Sequence, residues 1–149
     1  MLADLLSNRI FMTAMASWII GQFLKFPLDY ILNHRWDWHV MLNPGGMPSS
    51  HSALVTATAL AIGLYDGFGS PLFGLAVAVA MVVIYDATNI RRQAGLHAEV
   101  LNQMMQEFFH GQPVSEKKLR EVLGHTPFQA FVGIVLGIVI SMAIWLLFP

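Results

Sequence analysis

The sequence predicts an all-α protein: a small polytopic membrane bundle of about four transmembrane helices, with an amphipathic cap between the last two. Two observations carry this. Hydrophobic residues make up 56% of the 149 and charged residues 11%, against roughly 25% charged in soluble domains. A soluble fold of this length needs polar residues to cover what it cannot bury, and they are not here. The second observation is the spacing of the apolar stretches, which come in lengths suited to crossing a bilayer and are parted by polar turns.

A spanning helix needs about 20 predominantly apolar residues. The first candidate runs from Ile10 to about Leu28, with Lys25 near its end and Pro27 positioned to kink or stop it. Ala53 to Tyr65 is apolar but short. Pro71 to Tyr85 reaches spanning length by continuing through Asp86 toward Ile90, and Asp66-Gly67-Phe68-Gly69-Ser70-Pro71 is a turn between the two. Phe128 to Phe148, with only Gln129 and Ser141 polar, is the clearest span. Length alone also admits two long spans around a buried or re-entrant hairpin. The start of the chain, Met1 to Leu6 and then Arg9, lacks the marks of a removable signal peptide.

The chain reads as one domain, 1–149, with residues 92–124 as an extramembrane helical cap. Val100, Leu101, Met104, Met105, Phe108 and Phe109 recur at helical spacing, which predicts an amphipathic helix packed on the bundle or lying at the lipid interface. Gly111 and Pro113 stop it, and Ser115 can cap a second short helix ending at Gly124. Trp36, Trp38, His34, His39 and His110 fit interfacial positions. A net charge of −1 gives no basic field, which argues against nucleic acid as a partner. The chain has no cysteine, hence no disulfide framework and no thiolate site. A homo-oligomer is compatible with the sequence.

Four alternating crossings bring the end of the first helix, the start of the second, the end of the third and the start of the fourth to one face. Lys25, Pro48-Ser49-Ser50-His51, Asp86 to Arg92, and His125 stand at those four places. Ionisable groups at membrane depth face a cavity or each other, so a shared polar site is expected. Asn43-Pro44-Gly45-Gly46-Met47-Pro48 runs into a helix start at Ser49-Ser50, where backbone N–H groups can meet a phosphate. Lys25, Arg91 and Arg92 supply positive charge. His51 and His125 titrate near neutrality. Two imidazoles and a cationic cradle are sufficient for phosphoryl transfer without a metal or other cofactor, one ring attacking phosphorus and the other protonating the leaving oxygen. Asp86 is the one acidic residue inside a span near this site, so clustered carboxylates for a magnesium enzyme are missing.

At these residues the sequence resembles the divergent branch of the type 2 phosphatidate phosphatase family, related to vanadium haloperoxidases. The matching stretches are Gln22 to Lys25, Gly45 to Ala53, Asp86 to Gly95 with its Arg91-Arg92-Gln93-Ala94-Gly95 core, and Gly124-His125-Thr126-Pro127-Phe128-Gln129. The resemblance implies His51 as the acid, and Lys25 with Arg91 or Arg92 as phosphate ligands; Ser49, Ser50 and Gly46 belong to the same cradle. Two histidines compete as nucleophile. His97 keeps the wider family's spacing from Arg91 but has Leu101 where an acidic partner belongs. His125 opens a span and has Gln129 four residues on, whose amide oxygen could orient the ring. We assign His125 and keep His97 as the alternative, with Asp86 or Glu121 able to compensate for the missing carboxylate.

The expected activity is metal-independent hydrolysis of a lipid phosphomonoester or diphosphate, with phosphatidate, phosphatidylglycerol phosphate and polyprenyl phosphates all admissible. The alternative is a small membrane anion- or ion-binding or transport protein using the same cluster. Haloperoxidase chemistry is disfavoured because those relatives are typically soluble. Seven of the eight Lys+Arg fall on the active face, which the positive-inside rule places in the cytoplasm with both termini opposite.

Overall fold

The computed structural model describes residues 2–34, 45–108 and 124–149. Among these, every regular element is helical: α1 (Leu2–Ser7), α2 (Arg9–Asn33), α3 (Ser50–Tyr65), α4 (Pro71–Tyr85), a π-helical turn (Asp86–Ile90), α5 (Arg91–Phe108) and α6 (Pro127–Leu147). The expected second short helix of the cap, together with Glu121, His110, His39, Trp36 and Trp38, lies outside the described residues.

The helix starts follow from local chemistry. Asn8, Ser49, Ser70 and Thr126 each cap the helix that follows by accepting a backbone N–H. Pro71 and Pro127 occupy first-turn positions, where the missing N–H costs nothing. Of the two roles expected for Pro27, a kink or a stop, it does not stop α2; the helix carries it and continues to Asn33, closing on His34 at a left-handed φ of 53°.

α3 is the centre of the bundle, packed against α2, α4 and α6. Length and composition single out two helices as able to cross a membrane, Pro71–Met105 and Pro127–Leu147, while Ser50–Tyr65 is apolar but shorter. The protein is therefore a helical membrane bundle. Lipid offers no hydrophobic drive for helices to associate, so close van der Waals packing has to supply it. The seam between α3 and α6 is built that way. A methyl added at Gly137 would lie 2.6 Å from the Ala53 carbonyl oxygen, and one at Gly133 would be 3.0 Å from Ser52 Cβ. One turn beyond, Ser141 Oγ donates to the Ala57 carbonyl at 3.0 Å. Gly133, Gly137 and Ser141 thus form one face of α6 that no larger side chain could occupy.

Polar groups mark both ends of the bundle. At one end Arg9 donates to the Phe148 carbonyl at 2.8 Å and lies 5.6 Å from the Tyr65 ring centroid, while Tyr65 OH donates to the same carbonyl at 2.9 Å. The start of α2 and the ends of α3 and α6 meet there, which leaves the other end for the opposite termini.

The third span differs from expectation. It does not close at Arg92; α4, the π turn and α5 form one continuous helix. The apolar stripe of α5 is not packed on the bundle, since Val100, Leu101, Met104, Met105 and Phe108 are all exposed, Phe108 by 81%.

Candidate functional site

Two side chains bond backwards at the π turn. Thr88 Oγ1 donates to the Ile84 carbonyl at 2.9 Å, and Asn89 Nδ2 to the Tyr85 carbonyl at 3.4 Å. Such bonds compete with the regular backbone ladder. Within the wider turn Asp86 and Arg91, five residues apart, pair through Nε and Oδ2 at 2.7 Å. The Ala87 carbonyl receives the backbone N–H of His125 at 3.0 Å. Gly124, just before His125, lies so close to this turn that an added Cβ would be 2.5 Å from the Arg92 nitrogen and 2.7 Å from the Ala87 oxygen. His125 is thus held by backbone to the π turn within the third helix.

The start of α3 is held to the same place. Ser49 N–H donates to the Gln129 carbonyl at 3.2 Å, joining the α3 and α6 N-termini. Ser49 Oγ accepts from the Ser52 N–H at 3.3 Å and from Ser52 Oγ at 2.9 Å. The next N–H groups, on Ser50 and His51, belong to a first helical turn that has no intrahelical acceptors for them. Gly46 leads into this start with φ of +91°, a conformation that glycine adopts freely and a side chain would strain.

Around these termini the sequence-predicted residues converge. Lys25, Ser49 and Ser50 are fully buried, and His125 is 4% exposed. His51 stands in the electrostatic field of Arg91 and Lys25. His125 stands in that of Lys25 and His51, with Gln129 and the Gly46 backbone beside its ring. Both ring nitrogens of His125 and the hydroxyl of Ser50 are buried without a hydrogen-bond partner among the described residues. Buried polar atoms are paired as a rule, so these three unpaired groups mark where a polar ligand fits.

Burial, and after it the positive charge of Lys25, holds the His125 imidazole below its ordinary value of 6.5. The ring is neutral at pH 7, with a lone pair available. In an active enzyme, protonation of His125 would switch that lone pair off only in more acidic solution. The acid limb of kcat/KM, which reports the free protein, is therefore expected below pH 6.5, and a pH–rate profile checks it.

Some assignments need amendment. Gln129 Oε1 accepts the Thr126 N–H at 3.0 Å while Thr126 Oγ1 accepts the Gln129 N–H at 3.3 Å, a capping box. Its amide oxygen thus secures the start of α6, and the Gln129 side chain also stands beside the His125 ring, where it favours the protonated imidazole. Asp86 is engaged with Arg91, fixing that guanidinium by its Nε and leaving the Nη groups to other acceptors. Arg92 is exposed at the start of α5, and its backbone abuts Gly124. His97 is also exposed on α5, about 9 Å along the helix axis from Arg91. Two contributors went unanticipated, Gly124 and the Ala87 carbonyl. Among the described residues no three His, Asp or Glu side chains cluster to hold a metal ion.

The chain is 34% identical over 152 residues to an uncharacterized membrane protein, YuiD, of Bacillus subtilis (strain 168), an alignment covering 95% of this chain and 96% of the relative. No solved structure matches the chain. The model of the divergent PAP2 family matches residues 6–140, taking in every helix terminus that meets at the buried histidine, and the chain belongs to that family.

Proposed function

We propose that the protein is a lipid phosphate phosphatase that works through a phosphohistidine and without a metal. The observation that carries this reading is His125: buried, neutral, unpaired at both nitrogens, and in the fields of Lys25 and His51. A neutral imidazole with a free lone pair is a nucleophile, and a buried ammonium beside it is a counter-charge for phosphate oxygens.

In the proposed reaction one His125 nitrogen attacks phosphorus in line. Lys25, Arg91, the Ser50 hydroxyl and the N–H groups of the α3 start hold the equatorial oxygens, and Arg92 is the reserve cation. His51, protonated once the phosphate anion is bound beside it, gives its proton to the departing alkoxide. Water then attacks the phosphohistidine, returning a proton to His51 and restoring His125. Uncatalysed phosphate monoester hydrolysis needs up to about 10²¹-fold acceleration, so positioning, charge and covalent catalysis must act together.

Phosphate release from a panel of lipid phosphates in vesicles tests the reading. Release is expected to persist in chelator. Loss of activity in chelator, restored by a divalent cation, would return metal-dependent mechanisms, and binding without release would favour the anion-binding or transport alternative.

The reading includes four crossings and an orientation. By their place in the sequence relative to four crossings, Lys25, Arg35, Arg91, Arg92, Lys117, Lys118 and Arg120 belong to the site's side and Arg9 to the other, which by the positive-inside rule gives a cytoplasmic site. A C-terminal tag is then expected to be accessible from outside intact cells, and access from the cytoplasm alone contradicts it.

A further inference from the structure

We propose that Gly21 is a positioning residue for Lys25: by admitting the backbone of Ser50, it sets how close the buried ammonium stands to the start of α3. It rests on the phosphate site of the phosphatase reading and adds a residue outside the site itself. A Cβ added at Gly21 would lie 3.2 Å from Ser50 Cα and 3.3 Å from Ser50 Cβ, with Leu136 Cδ2 of α6 at 3.7 Å. The glycine therefore marks the place where α2 meets the first turn of α3. Lys25 follows by four residues, on the same helix face and about 6 Å further along the axis. α2 runs toward the site and α3 away from it, so this step carries Lys25 from the level of Ser50 past the start of α3, whose first backbone N–H groups lack helical acceptors. Lys25 is fully buried there, and its charge acts on both His51 and His125.

The first turn of α3 is thus held by a glycine from each of two helices. A methyl at Gly133 of α6 would meet the Ser49 carbonyl oxygen and lie 3.0 Å from Ser52 Cβ, as one at Gly21 of α2 would meet Ser50. In lipid, contacts of this kind rather than hydrophobic drive set how near two helices come. The two glycines differ in tolerance. At Gly133 the obstacle is a backbone oxygen in the α3–α6 seam, whereas at Gly21 a methyl asks its neighbours to give by only a few tenths of an ångström. Gly21→Ala therefore shifts α2 without dismantling the bundle. Ser50, His51 and His125 keep their places, because the bond from the Ser49 N–H to the Gln129 carbonyl joins α3 to α6 independently of α2. What the shift withdraws from the site is Lys25.

The test is inorganic phosphate binding to the purified protein in vesicles, together with kcat and KM for phosphate release from a lipid phosphate. Gly21→Ala is expected to weaken phosphate binding and raise KM by about tenfold each, short of the roughly 10²-fold that a full 1 Å displacement can cost. kcat is expected to change less, as for a loss of binding shared by ground and transition states. Lys25→Met is expected to weaken phosphate binding by itself, and Gly21→Ala added to it to cost nothing more, since the glycine acts through the ammonium. Gly74→Ala, with nothing within 4 Å of the added methyl, is expected to match wild type. Unchanged phosphate affinity in Gly21→Ala or in Lys25→Met overturns the proposal. So does an equal Gly21→Ala loss in the Lys25→Met background, or a Gly21→Ala protein that loses its helical fold, either of which makes Gly21 a packing residue only. Phosphate release on the same vesicles separates the two readings. The expected binding pattern without release keeps Gly21 and removes the phosphatase; release with wild-type affinity in Gly21→Ala does the reverse, and a wild type that neither binds nor releases phosphate removes both.

Discussion

His125→Asn is expected to lower lipid phosphate hydrolysis by on the order of 10⁴-fold or more, the scale of losing a covalent nucleophile. The asparagine is close in size and polar, and the backbone N–H that binds the Ala87 carbonyl is kept. The bundle therefore has no reason to unfold, and retained helicity and thermal stability are part of the expectation. His97→Asn provides the contrast. His97 is exposed on α5 and nothing places it beside Lys25 or His51, so that variant is expected to keep its activity. Phosphate release by purified protein in vesicles checks both, and the opposite pattern would make His97 the nucleophile.

Gly124→Ala is expected to lower kcat by about 10²-fold, the cost of misplacing a reacting group by about 1 Å. The added methyl meets backbone on every side, at the Arg92 nitrogen, the Ala87 oxygen and the Arg91 carbonyl carbon. No side chain can rotate away to relieve it. The His125 segment must therefore lift off the π turn, while the Gly133 and Gly137 seam that joins α3 to α6 is left intact. Substrate KM should change less than kcat, because Lys25 and the α3 start are not moved. An unchanged kcat would mean that the contact between His125 and the π turn does not set the geometry of the reaction.

Much of this was legible in the residues. The helix that opens at Pro71 starts where the Asp66–Pro71 turn implies, though it runs on past its expected close, and α6 is within a residue of its expected ends. The convergence of Lys25, His51, Arg91 and His125 follows from helices that alternate in direction, although Lys25 and Arg91 lie within continuous helices and only His51 and His125 stand at helix starts. The seam of Gly133, Gly137 and Ser141 is also written in the sequence, as small residues at four-residue spacing, but hydropathy windows average over it. The π turn is different. No hydropathy or spacing signal marks it, and the carbonyl it offers to His125 appears only when residues 38 apart in sequence meet. Gln129 serves two spacings at once. Four residues from His125 it stands beside the ring, and as the third residue after the Thr126 cap its oxygen also accepts the Thr126 N–H.

The central claim is a covalent bond between phosphorus and one imidazole. Purified protein given a lipid phosphate labelled at phosphorus, quenched in alkaline detergent within a turnover and mapped by peptide, reads it directly. The account predicts an acid-labile, alkali-stable label on His125 that is absent from His125→Asn. Steady phosphate release with no label on any residue, or label on His97, contradicts it.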